Sequence, residues 1–101
     1  MMNGNRVFLM GALTADPVIK KTVNDHDVCR FRLACSLKRF KNEEVLFIDV
    51  HAWDEVAQSC DMLAKGSRVV LEGYLRNIKW TDKEGKDHWK HIILAESVTV
   101  Q

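Results

Sequence analysis

Apolar and polar residues alternate along most of this chain, which marks strands. From Asn5 to Leu13, the residues Val7, Leu9, Gly11 and Leu13 oppose Arg6, Phe8, Met10 and Ala12. Both sets are largely apolar, which predicts a strand covered on both sides. Asp16-Pro17 ends it. A short extended piece, Val18-Ile19-Lys20-Lys21, and a polar turn, Asn24-Asp25-His26-Asp27, follow. From Val28 to Lys38 the pattern is clearest. Cys29, Phe31, Leu33, Cys35 and Leu37 share one face, and Arg30, Arg32, Ala34, Ser36 and Lys38 the other. Lys38 to Glu43 reads as a loop. The next strand, Glu44 to Trp53, puts Phe47, Asp49, His51 and Trp53 on one side and Leu46, Ile48, Val50 and Ala52 on the other.

One helix is predicted. Asp54 is placed to cap its start. Val56, Cys60 and Leu63 form its apolar stripe, with Ala57 and Ala64 beside them, and Lys65-Gly66 stops it. Ser67 to Ile78 is the fourth strand, with Val69, Leu71, Gly73 and Leu75 on one face. Trp80 to Trp89 reads as a hairpin connection around Glu84-Gly85, and His91 to Val100 as the last strand. Five strands with one helix between the third and fourth match the all-β OB barrel, which binds oligonucleotides or oligosaccharides. A small α+β sandwich has the same element order. The barrel fits better, because closure removes exposed strand edges.

The chain has 101 residues, one Pro and a formal charge of +1. That length predicts one domain, residues 1–101, with a modest core that self-association would enlarge. The charge excludes a uniformly basic surface but leaves room for a local basic path. No apolar run is long enough for a membrane span, and the first residues show no signal-peptide pattern. A cytoplasmic protein without membrane partners is the expectation. Cys29, Cys35 and Cys60 have no CxxC spacing and read as reduced, buried thiols.

Candidate chemistry concentrates in Gly73 to Gly85. Alternation puts Arg76, Ile78 and Trp80 on one strand face, with Lys79 able to swing either way. An indole beside cations suits a flat base on a phosphate backbone, where stacking is worth roughly 1–3 kcal/mol per base. Metal binding is not expected. His88 and His91, the one close His pair, fall on opposite faces of a strand. No nucleophile elbow, P-loop or His-Glu-x-x-His pattern suggests an enzyme, and no cofactor is implied.

Four segments, in order, resemble the bacterial single-stranded-DNA-binding protein family. They are Asn5 to Pro17 with its Gly-x-Leu-x-x-Asp-Pro step, Phe31 to Ser36, Leu63 to Val69, and Glu72 to Gly85. The resemblance runs from about Asn5 to Val100. It implies sequence-independent binding of single-stranded DNA by aromatic stacking and Lys/Arg phosphate contacts. That mechanism is a known property of the family, not a deduction from these residues. By position, the resemblance makes Trp80 and Trp53 stacking residues and places Phe47 where relatives usually carry Trp. Phe40 or Arg39 lies near another stacking Trp. Arg76, Lys79 and Lys20 match basic positions along the DNA path. Arg30, Arg32 and Lys38 join them by alternation alone.

The resemblance further implies a homotetramer, or a dimer, since Ile48 stands where many members have an interface His. It also implies a nucleoid location and roles in replication, recombination and repair. The family's acidic tail, which recruits replication and repair proteins, is not expected here, because the sequence stops at Val100-Gln101. Asp49 stands where members commonly have a basic residue, and is expected to repel phosphate unless Arg32 or His51 pairs with it. A related OB protein of a primosome or recombination system, acting mainly through protein contacts, is the alternative.

Overall fold

The structure is a computed structural model that describes residues 4–39 and 41–101. Its strands are β1 (Val7–Leu13), β2 (Val18–Lys21), β3 (Asp27–Arg39), β4 (Asn42–Trp53), β5 (Arg68–Thr81) and β6 (Asp87–Val100), with α1 (Asp54–Gln58) between β4 and β5. The order across the sheet is β1-β5-β6-β4-β3-β2, and β1 also pairs with β3, at Ala12/Ala34 and Leu13/Leu33. The five long strands thus close into the expected OB barrel. The short piece, β2, is an added strand along β3.

Closure buries one face of every long strand. Leu33, Val50, Val69, Leu71 and Ile93 are fully enclosed, with Cys29 and Cys60 among them. Burial pushes the Cys29 thiol up to about 12, so it stays protonated and behaves as a small apolar side chain. Gly73 sits where β5 and β6 slip register, and a Cβ there would strike the carbonyl of Leu94. Only glycine allows the two backbones to approach this closely at the bulge.

Three sequence expectations change. The segment read as a loop, Lys38 to Glu43, and the hairpin connection, Trp80 to Trp89, are in part strand: β3–β4 pairing continues to Arg39/Asn42 and β5–β6 pairing to Thr81/Asp87, with the turn around Glu84-Gly85 kept. β4 and β6 pair only at Val50/Ile93 and His51/Leu94, so each hairpin runs on as a two-stranded arm. Leu37 and Leu75, expected on the core face, lie on those extensions and are exposed.

The helix is also shorter than its apolar stripe suggests. Trp53, not Asp54, holds the cap position and makes no side-chain cap bond. The Asp54 carboxylate turns to His26 at 3.1 Å. After Gln58 the chain tightens into three-residue turns, Cys60 N–H to the Ala57 carbonyl and Leu63 N–H to the Cys60 carbonyl. Cys60 and Leu63 still reach the core. Gly66 is left-handed, at φ 87°, but it stands in the turn before β5 and does not stop the helix, which ends at Gln58 with Ser59 as its C-cap.

Candidate nucleic-acid interface

Residues directly opposite in a ladder share a face, and the registers gather one outer face across β2, β3, β4, β6 and β5. Trp53 lies opposite Val28, which lies opposite Lys20. His51 faces Arg30, Asp49 faces Arg32, and Phe47 faces Ala34. His51 is level with Leu94 on β6, whose alternation brings Lys90 and His88 onto the same side. Trp80 is opposite His88, and Arg76 opposite Ile92. Seven of the ten expected contact residues are therefore brought together: Trp80, Trp53, Phe47, Arg76, Arg32, Arg30 and Lys20.

The aromatics of this face are open to solvent. Trp53 is 40% exposed, Trp80 44% and Phe47 52%. Trp53 is outside the core cluster and meets the His26 ring edge-on, centroids 6.3 Å apart. Trp80 stacks on His88 at 5.3 Å, and the Lys90 ammonium stands 5.9 Å from its ring. The Arg32 guanidinium lies 5.4 Å over Phe47. Trp80 and Phe47 thus each have a neighbour over the ring face, whereas Trp53 has an edge contact only.

The charges of this face differ from those elsewhere. Among the described residues, Lys20, Arg30, Arg32 and Arg76 take part in none of the ion pairs within 4.0 Å, while Lys21, Lys79 and Arg6 each hold carboxylates. Two depressions open between the unpaired cations. One, of about 320 Å³, is lined by Arg30, Arg32, Asp49, His51 and Lys90; the other, of about 290 Å³, lies between Lys20, Arg30, His51 and Trp53. Burial, then Arg30 and Lys90, hold His51 below the ordinary imidazole value, so it is neutral at pH 7.

Two of the remaining expected residues, Lys79 and Lys38, are placed apart. Lys79 lies on the reverse face of the β5–β6 arm, 3.3 Å from Asp87 and 5.5 Å from the Trp89 ring. Lys38 is in phase with Arg32 but six residues further along β3, about 20 Å away at strand rise, and faces Glu43. Phe40 lies outside the described residues. The carboxylate of Asp49 is held neither by Arg32 nor by His51. Its partner is Lys90, at 2.6 Å.

Sequence reasoning missed Lys90, His88 and the exposed Trp89. Treating Trp80 to Trp89 as a connection hid them. Continuing both strands to the Glu84-Gly85 turn would have put His88 opposite Trp80 and Lys90 in phase with it. The turn itself is tightly specified: the Asp82 carboxylate accepts from the backbone N–H groups of Glu84 and Lys86 and meets the His88 ring at 2.7 Å. Among the described residues no three His, Cys, Asp or Glu side chains are grouped to hold a metal ion, and no helix is long and apolar enough to cross a membrane.

Residues 4–101 match the model of the single-strand binding protein family. The chain is 41% identical over 101 residues to the single-stranded DNA-binding protein of Aquifex aeolicus, covering 93% of this chain and 67% of that one. It is 38% identical over 98 residues to single-stranded DNA-binding protein 1 of Streptococcus pyogenes, covering 92% and 73%. With the Thermus thermophilus protein of the same name the figures are 39% over 92 residues, covering 90% of this chain but 35% of that one. The relatives are thus longer than the chain, the last about two and a half times as long. A family model matched over nearly every residue, with relatives above 30% identity, means that the chain belongs to the single-strand binding protein family.

Proposed function

We propose that this chain binds single-stranded DNA with little dependence on sequence. One observation carries the reading: Trp53, Phe47 and Trp80 are exposed on the same barrel face as Lys20, Arg30, Arg32 and Arg76, cations that no carboxylate neutralises among the described residues. Every base offers a flat side to an indole or phenyl ring, and the cations hold the phosphates between successive stacks. A duplex keeps its bases paired and stacked, so it cannot offer them to these rings. The protein then coats exposed single strands during replication, recombination and repair, at the nucleoid in the cytoplasm. The alternative, an accessory that acts mainly through protein contacts, gains nothing from the relatives' names.

Self-association fits the same molecule. Between Val7 and Gly11, β1 pairs with β5 but not with β3, leaving one strand edge open. Phe8 and Met10, 58% and 51% exposed, flank it. An open, apolar edge is normally covered, and a second copy would cover it. A closed homotetramer then presents several DNA faces to one strand and raises affinity through effective concentration.

Titration with a single-stranded oligonucleotide tests the reading. Trp fluorescence should be quenched to a fixed stoichiometry, and affinity should fall with salt at a log–log slope of about −0.7 per phosphate neutralised. Equal affinity for duplex, or binding indifferent to salt, would refute it.

A further inference from the structure

Asp49 is the one acidic side chain among Phe47, His51 and Trp53 on the outer row of β4. Phe47 and His51 flank it two residues to either side on the same face, and Arg32 lies directly opposite on β3. Lys90 reaches from β6 to one of its oxygens, Oδ2, at 2.6 Å. Among the described residues the other oxygen, Oδ1, has no side-chain partner, and Asp49 lines the depression of about 320 Å³ together with Arg30, Arg32, His51 and Lys90. The carboxylate is thus fixed in place, half satisfied, and beside donors that are also only partly used.

A carboxylate in that position cannot serve phosphate. It can serve a base edge. An ionised carboxylate only accepts hydrogen bonds, whereas the neighbouring Arg32 and Lys90 only donate. The combination complements an edge that has an amino group beside ring acceptors. Cytosine has that arrangement, an N4 amino group next to N3 and O2. Thymine presents a carbonyl at the same position, and its O4 would face the carboxylate. The two bases are single rings with similar stacking surfaces, so the difference lies in the edge.

We propose that Asp49, positioned by Lys90 and set against Arg32, is a base-edge reader that biases this otherwise sequence-tolerant face toward cytosine and against thymine. The proposal rests on the DNA-binding reading given above. The bias is modest, because a single subsite among several stacking positions carries it. Acceptance of a cytosine N4 proton by an Asp is a known pairing, and a good contact of this kind discriminates by roughly fivefold or more.

The experiment compares short oligo-dC and oligo-dT of equal length at fixed salt and pH 7.5, with the native chain, Asp49→Ala and Asp49→Asn. Removing the charge releases Lys90 and should tighten both oligonucleotides, so the informative quantity is the dC-to-dT affinity ratio. The native ratio should fall about fivefold in Asp49→Ala. It should also fall in Asp49→Asn, whose amide can donate to thymine O4 and which keeps the side-chain shape if the alanine variant disturbs the fold. An unchanged ratio in both variants, with both affinities rising together, would overturn the proposal and leave Asp49 a plain negative charge. Failure of the native chain to bind either oligonucleotide would instead defeat the DNA-binding reading on which it rests.

Discussion

Two outer sides of the barrel carry opposite kinds of surface. Across β2, β3, β4, β6 and β5, exposed rings alternate with Lys20, Arg30, Arg32 and Arg76, which are in no ion pair among the described residues, while Lys90 alone is held by a carboxylate, that of Asp49. On the β1 side Arg6 is bound to Glu72 at 3.2 Å and Glu96 at 3.8 Å, Arg68 opposite Ala12 is the one cation outside those pairs, and Phe8 and Met10 are exposed. The first side has unspent positive charge and flat surfaces, which suit a polyanion with stackable bases. The second has balanced charge and apolar bulk, which suits another protein surface. Net charge near zero hides this division, because paired and unpaired cations count alike. What distinguishes a nucleic-acid face in a nearly neutral protein is where the carboxylates are, not how many lysines and arginines there are.

The largest expected effect breaks the aromatic half of that contrast. Trp80→Ala and Trp53→Ala should each weaken single-strand binding by roughly 1–3 kcal/mol, about five- to 150-fold. Both rings are substantially exposed and outside the core cluster, so thermal unfolding should shift little. A large drop in melting temperature for Trp53→Ala would make that residue structural.

The cations come next. Arg30→Gln, Arg32→Gln and Arg76→Gln should each reduce the steepness of the salt dependence by about 0.7 wherever the residue meets a phosphate. Lys79→Gln is the matched control, because Lys79 is paired with Asp87 on the reverse of the arm. A reduced slope for Lys79→Gln would extend the DNA path around the arm.

The β1 side is probed by mass. Phe8→Lys or Met10→Lys should lower the particle mass in light scattering at micromolar protein while leaving affinity for a short oligonucleotide unchanged. A single-chain mass for the native protein would remove self-association from the account.

The smallest effect concerns His51, whose folded-state pKa is lowered by burial and by Arg30 and Lys90. Below its unfolded value of about 6.5 the unfolded chain binds more protons than the folded one. Stability should therefore fall as pH drops from about 7 through the folded-state value, and His51→Gln should flatten that part of the profile. Unchanged pH dependence would mean that His51 is solvated in the folded protein.

The strands and most of the face that gathers aromatics and cations were readable from period two, while the roles expected of Trp53, Phe47 and Lys20 came from the family resemblance. Alternation on β3 and β4 correctly separates Cys29, Phe31 and Leu33 from Arg30 and Arg32, and Val50 and Ala52 from Phe47, Asp49 and Trp53. The helix length was not readable. Cys60 and Leu63 have helical spacing, yet their burial is achieved through tight turns after Gln58. The Lys90–Asp49 pair was not readable either, since it joins residues 41 apart through the short parallel contact of β4 with β6. Lys79 shows the remaining gap: a long side chain has one backbone register but two possible partners, and only the placement of Asp87 and Trp89 decides between them.

The division between the two sides is tested most directly by mapping the DNA on the protein. Backbone amide and indole NMR shifts of the chain should be followed as a short single-stranded oligonucleotide is added. The largest changes are expected at Lys20, Arg30, Phe47, His51, Arg76 and the indoles of Trp53 and Trp80, with the Trp89 indole and the amides of Phe8 and Met10 scarcely moved. Changes centred on Phe8, Met10 and Trp89, with the Trp53 and Trp80 indoles undisturbed, would contradict it.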